Sequence, residues 1–497
     1  MGRISFLCSL VLLIAAMPLR AQNSYANART DLGVATESLP FLCAPAPTCT
    51  MNSTDLNATG VTIHRVTDAN TNPVDPTDVF TTDGSAEQME WNSNSTAFFV
   101  DNVNHGVAHF FTLNTGTGVA TKVSCTFSGT NCWNNLLTTI NGNADGPFSG
   151  VSPYVYWSVT STGTAIQKMD FTATVANPAS ADTDTTLATF SACSGIPTST
   201  GANELAMNNN DTRFATALGP SQDNWTVVYV YDTVQGCRYL NLAAFTIGGQ
   251  WGTTGTASYF SETGGSIANA PCSQIHNVRM SRDGRWADIS TQCNAGGVSN
   301  GDIMFWDIAT GNIYRDHYTG GGSGPYFGGG HNMIGFNNYW ANVDTNYSSP
   351  FNWFTIRTLP PTGTPTWLST GRSAFDDSHL TWNNQTSGNL YPYCAAIYQN
   401  SPPSAAWGDE IVCFQTNGGG NAFRLTHMYT LAHDFNSQGM ANISRDGKWI
   451  IWTSDWNASR DDVFLIATQV VSSGPTGPPP IPLLAGNILP QGNVRIP

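Results

Sequence analysis

Three histidines stand just ahead of three successive apolar, strand-like segments: His276 in SQIHNVRMSRDG, His331 in GGGHNMIGF and His379 in DDSHLTW. Imidazole nitrogen is a good ligand for a divalent cation, and three imidazoles around one ion leave positions open for water or substrate. A Zn or Mn ion is the expected occupant. Gln274, Asp376, Asp377 and Gln438 fall at the same level of their own segments and would complete or orient that ligand set. His427 and His433, in RLTHMYTLAHDFNSQG, are expected on the loop leading into the last segment, where they would add a base or a further ligand. The competing reading is a strand-start histidine that bonds neighbouring backbone and fills space. That reading explains one histidine more easily than three in matched places.

A second ligand pattern is DANTNPVDPTD, Asp68 to Asp78, whose oxygens are spaced like the start of a Ca loop. Pro73 stands where such a loop needs glycine, and Val79 where it needs an acid. The glycine-rich GGGSGPYFGGGH, Gly320 to His331, lacks the Gly-Lys-Ser/Thr of a phosphate loop.

The elements that would position these residues announce themselves through a repeat. SRDGRW, Ser281 to Trp286, returns as SRDGKW, Ser444 to Trp449, each copy between two short apolar segments. Asp-Gly supplies the φ > 0 residue of a tight hairpin, and the following Trp starts the next strand. The copies lie 163 residues apart, too far for one repeat but divisible into three units near the upper end of the range of about 40–50 residues for a propeller blade. Hairpin patterns of β-branched and aromatic residues recur at 109–123, 228–240, 303–315 and 411–425. No stretch keeps a helical period. The expectation is an all-β, seven-bladed β-propeller over residues 60–471, with innermost strands starting near Glu87, Gly150, Asn203, His276, His331, His379 and Gly439. GVTIHRVTD, Gly60 to Asp68, would be the N-terminal strand that closes the ring by joining the last blade. In such a ring the starts of the inner strands surround one mouth of the central channel, so the three histidines would converge there.

Residues 1–21 read as a secretory signal peptide: Arg3, an apolar run from Phe6 to Met17, then Pro18 and Ala21. The run is shorter than the roughly 20 residues of a membrane span. Residues 22–59 form an N-terminal extension expected to drape over the first blade, and residues 472–497 a Pro-rich C-terminal tail. Past the leader ten cysteines remain, falling into sequential neighbours: Cys43 with Cys49, Cys125 with Cys132, Cys193 with Cys237, Cys272 with Cys293, and Cys394 with Cys413. Five local disulfides suit a secreted or periplasmic protein, although spacing alone does not determine connectivity. Zinc binding by these cysteines is disfavoured because no pair has C-x-x-C spacing.

Charged residues make up 11% of the chain, and without Arg3 and Arg20 the balance is 17 basic against 34 acidic residues, or −17. That sign excludes nucleic acid as a partner, which needs a basic footprint. It also makes an anionic polymer an awkward ligand unless a metal ion intervenes. Trp353, Trp367, Trp382, Trp407 and Trp456, near loops or strand ends, are candidates for sugar stacking.

The SRDGRW and SRDGKW phrases, with the WDIATG hairpin at Trp306 to Gly311, resemble the WD40-like propeller repeats of the TolB type found in exported bacterial proteins. The match is specific over two blades and degenerate over five. More distantly the chain is similar to oligogalacturonate lyases, and that resemblance implies seven blades and a divalent metal held by His and Gln at the channel mouth. No contiguous motif of that family occurs here, so none of its catalytic residues is carried over.

Three functions fit these residues. The leading one is a monomeric exported propeller that binds carbohydrate at the channel mouth. The second is a metal-dependent polysaccharide lyase or hydrolase using the three-histidine site with Mn, Zn or Ca. The third is an envelope protein-interaction scaffold.

Overall fold

The Asp-Gly turns form as the repeat predicts, and their bonding explains why the phrase recurs. The computed structural model describes residues 25–468 apart from 26, 74, 83–88, 105–106, 124–145, 161, 197–200, 203, 221–224, 262–263, 268–272, 292–293, 296–297, 300–302, 317–331, 336–338, 345–352, 361–365, 369–376, 384–392, 399–405, 416–421, 432–435 and 459. Ser281 N donates to Trp286 O at 2.9 Å, while Ser281 Oγ donates to Asp283 Oδ1 at 2.6 Å and accepts from Trp286 N at 2.8 Å. Gly284 takes φ 73° in this turn. Ser444, Asp446, Gly447 and Trp449 repeat the arrangement, with Gly447 at φ 71°. The same turn occurs twice more without the motif. Asn92 Oδ1 accepts from Thr96 N and Ala97 N with Ser95 at φ 58°, and Asn208 Oδ1 accepts from Thr212 N and Arg213 N with Asp211 at φ 55°. An asparagine carbonyl replaces the serine hydroxyl, and a small polar residue tolerates the left-handed region.

The described strands form seven sheets of three to seven strands and one two-stranded ribbon, in a propeller arrangement. All four hairpin patterns are antiparallel pairs: Val107–Asn114 with Val119–Lys122, Val227–Asp232 with Gly236–Asn241, Ile303–Asp307 with Asn312–Asp316, and Glu410–Phe414 with Ala422–His427. The innermost strands Ile275–Met280, Asn332–Ile334, Asp377–Thr381 and Asn442–Ile443 neighbour one another in that order. The helical content of the described residues is slight, represented by Thr172–Ala176.

Apolar residues pack between sheets. Phe99 with Phe148 and Tyr156 joins the first sheet to the second, and Trp157 with Phe214 the second to the third. Val230 with Met280 and Trp306 joins the third to the fourth, and Trp286 with Ile334 the fourth to the fifth. Phe354 packs with Leu380 and Trp407, Ile411 with Trp452, and Trp91 with Trp449 and Ile451, which brings the last sheet against the first. Each large aromatic removed from water in this way stabilises the fold by several kcal/mol, on the order of the 3–5 kcal/mol lost when a buried Phe or Trp is cut to Ala. Trp382, Trp407 and Trp456 are buried in these seams and are not sugar platforms.

The strand Val61–Arg65 pairs antiparallel with Asp462–Ala467, setting Ile63 opposite Ile466 and Arg65 opposite Phe464. Thr50–Ser53 then adds outside it, with Thr50 opposite His64. This addition corrects the expected course of the N-terminal extension. Hydrogen bonding as a fifth strand of the last sheet carries residues 25–57 over the last two sheets, not the first. There Tyr25 packs on Phe423, and Arg29 N–H and C=O engage Leu56 and Arg424.

Three of the expected disulfides are present: Cys43–Cys49, Cys193–Cys237 and Cys394–Cys413. Cys125, Cys132, Cys272 and Cys293 lie outside the described residues. No described helix is long and apolar enough to cross a membrane. In the segment Asp68 to Asp78 the described carboxylates serve the turns. Asp68 accepts from Asn70 N and Ala46 N, Asp75 from Thr77, and Asp78 from Asn72 and Asn102. Carboxylates that accept from nearby N–H and O–H donors in this way form turns.

Candidate functional site

His379 lies on the innermost strand Asp377–Thr381 and Gln438 just before Asn442–Ile443 on the next sheet. The two sheets bring the side chains together, with His379 Nε2 3.4 Å from Gln438 Oε1. Asp377 begins the same strand as His379. His276 sits at a bulge between Ile275 and Asn277, where the register slip turns its imidazole out to solvent, and Gln274 is half-buried two residues earlier. His331, Asp376 and His433 lie outside the described residues. Among the described residues no group of three or more His, Cys, Asp or Glu side chains is placed to hold a metal. Of a His-and-Gln donor set, therefore, the structure brings His379 and Gln438 together.

His427 is not on a mouth loop. It ends the strand Ala422–His427, fully buried beneath the N-terminal extension, with Nδ1 3.3 Å from Asp55 Oδ2 and Nε2 3.8 Å from Glu410 Oε1. Burial pushes the Asp55 carboxyl up, but His427, Ser38 N and Tyr429 OH outweigh it and hold the carboxyl below its ordinary value. This histidine fastens the extension. The sequence offered no sign of it, because its partners are about 370 residues away in the chain.

At the other end of the innermost strands lies an axial cavity. Met207, Met280 and Met333, on strands of three different sheets, contribute to its wall with Met89, Pro147 and Asn383. Arg279 and Arg282 also line it. Arg279 Nη1 pairs with Glu204 Oε2 at 2.8 Å. Arg282 and Arg445, the second residues of the two repeated phrases, are both buried, and Arg282 lines this cavity. A basic residue at the same position of both phrases is the signal that the sequence carries for them.

Glu90, next to Met89, is a second concentration of unusual chemistry. Burial, helped by the Asp101 charge, raises its carboxyl well above the ordinary range.

No protein-family model matches this chain, and no curated protein matches it. Among solved structures it is similar to an oligogalacturonate lyase in complex with manganese, with a TM-score of 0.51, 12% identity and coverage of 88% of this chain and 98% of that one. An oligogalacturonate lyase from Vibrio parahaemolyticus gives a TM-score of 0.51, 10% identity and the same coverage, 88% and 98%. The fold is shared with oligogalacturonate lyases. A putative TolB from Agrobacterium tumefaciens is a looser likeness, with a TM-score of 0.32, 11% identity and coverage of 58% of this chain and 80% of that one. At these identities the likeness extends to the propeller and not to its site residues.

Proposed function

We propose that this chain is an exported seven-bladed propeller, closed by Val61–Arg65, that binds carbohydrate at the mouth where the innermost strands enter the channel. The observation that carries the reading is the convergence of His379 and Gln438 from neighbouring sheets, 3.4 Å apart, at that mouth. An imidazole and a carboxamide together offer donors and acceptors to hydroxyl groups without a net charge. The unbroken succession of intersheet clusters, running from the first sheet round to the last and back, supports the closed ring.

A second reading, metal-dependent lyase chemistry, is favoured by the manganese-bound structure that shares the fold. His276, His331 and His379, with Gln438, would hold the ion. When bound, a divalent cation would neutralise an acidic sugar's carboxylate, which an acidic protein otherwise repels. In the first reading His379 and Gln438 orient the sugar directly, and in the second they would act through the ion.

Titration calorimetry with neutral and pectic oligosaccharides, with and without Mn, tests both. His379→Ala and Gln438→Ala should each weaken sugar binding about tenfold, the equivalent of roughly 1.4 kcal/mol, while circular dichroism stays unchanged. An unsaturated product formed only with Mn would establish the second reading. Unaltered binding in both variants would remove the site from this mouth.

A further inference from the structure

Among the described residues seven large apolar side chains are exposed, and four of them fall close together in the N-terminal extension: Leu32, Val34, Leu39 and Phe41, the last 91% exposed. Leu431 belongs to the same flank, since its N donates to Asp455 Oδ1 at 3.1 Å and the next residue, Trp456, donates from Nε1 to Pro40 O at 2.9 Å. The backbone beneath this row is fastened. Arg424 Nη1 donates to Asp31 O at 3.0 Å and Gly33 O at 2.7 Å, Ser38 N to Asp55 Oδ2 at 2.8 Å, and Arg65 Nη1 to Cys43 O at 2.6 Å. Single exposed apolar residues are ordinary, but a run of them on a fixed backbone is a surface organised in advance for binding.

The chain itself carries a segment of matching chemistry, and that segment starts nearby. The described residues end at Thr468, which donates from N to Lys448 O at 2.8 Å and lies beside Tyr25, at the start of the extension. Residues 469–497 follow, with Ile481, Leu483, Leu484, Ile488 and Leu489 set among prolines, no acidic residue, and Arg495 as the one charged side chain. Extended at about 3.1 Å per residue, residues 469–480 reach roughly 37 Å. The strand Asp462–Ala467 separates the level of Thr468 from that of Trp456 and Pro40, and it measures about 20 Å at roughly 3.3 Å per residue. A chain leaving Thr468 is therefore long enough to run back along the extension.

We propose that residues 481–489 dock along Leu32, Val34, Leu39 and Phe41 and cover this row in the folded chain. Pro478, Pro479, Pro480 and Pro482 restrict the backbone beforehand, so less conformational freedom is lost on docking. Proline-rich segments pack on aromatic side chains, and Phe41 next to Pro40 offers such a face. Asp31 and Glu37, which stand in the same stretch as the row, meet no acidic side chain in the segment. The contact does not depend on sugar binding at His379 and Gln438.

Hydrogen exchange read by mass spectrometry, on the chain without residues 1–21 produced under oxidising conditions, tests the docking. Amides of residues 483–489 should exchange at least tenfold more slowly than in a synthetic peptide of residues 472–497. Phe41→Asp should return them to the rate of the peptide, and Leu483→Asp with Leu484→Asp should speed exchange in residues 31–41. Exchange of residues 483–489 at the peptide's rate in the wild-type chain would overturn the proposal. So would protection that survives Phe41→Asp, which places the segment elsewhere, and protection that arises only as a dimer forms in sedimentation, which makes a second copy the occupant. If Phe41→Asp does not fold, the double leucine variant decides, and unchanged exchange in residues 31–41 is then the overturning result.

Discussion

Arg65 and Asp462 hold the two ends of the described chain together through a buried ion pair, Nη2 2.7 Å from Oδ2. Asp462 also accepts from Thr67 Oγ1 at 3.1 Å and Arg460 Nη2 at 2.8 Å. Even so, burial outweighs both arginines and raises its carboxyl. Asp462→Ala would leave Arg65 buried and unpaired, at a cost of about 3–5 kcal/mol, and should expose the N-terminal strand to protease. Urea unfolding and limited proteolysis read the two effects. A loss below about 1 kcal/mol, the size of a surface pair, would deny this contact a structural role.

His64, one residue before Arg65, packs against Trp449, and burial pushes its imidazole down to about 4. The folded state therefore refuses a proton that the unfolded chain accepts. Its contribution is fully present above pH 6.5 and is lost as pH falls from 6.5 towards 4, by up to on the order of 3 kcal/mol. Melting temperature should fall across that window, and His64→Gln should flatten the slope. An unchanged slope in the variant would transfer the acid sensitivity elsewhere.

Asp409 should act in the opposite sense. Burial, then the charge and hydrogen bond of Glu37 on the N-terminal extension, hold its carboxyl well above 3.8. The folded state keeps a proton that the unfolded chain releases, so this group stabilises at acidic pH and loses its contribution as pH rises through the folded value. Asp409→Asn imitates the protonated acid. It should melt a few degrees higher than wild type at alkaline pH, with the difference shrinking as the pH is lowered. A variant less stable than wild type at every pH would show that the charged form is the one the fold needs.

Cys394 and Cys413 are directly opposed on neighbouring strands, and their disulfide staples the sixth sheet. Replacing both with Ala should cost about 2–4 kcal/mol. Thiol titration of the protein without residues 1–21, produced under oxidising conditions and denatured, should find no free thiol. Four reactive thiols would mean that Cys125, Cys132, Cys272 and Cys293 are reduced, against the local pairing proposed for them.

Local signals carried much of the architecture into the sequence. The Asp-Gly turns at Gly284 and Gly447, the four hairpins and the pairing of Val61–Arg65 with the last sheet follow from turn chemistry, alternation and the need of an orphan strand for a partner. The turns at Asn92 and Asn208 were hidden because asparagine reproduces the bonding of serine without its spelling.

Sequence by itself determined that this is an all-β chain with a basic residue after the first serine of each SRDG turn. Tertiary structure alone decided which of these residues meet. It joined His379 to Gln438 and drew His427 under the extension. It also buried Arg282 and Arg445, one from each SRDG turn. Local periodicity governs neighbours along a strand, but only ring geometry sets what lies across the axis, where residues more than a hundred positions apart become one another's solvent.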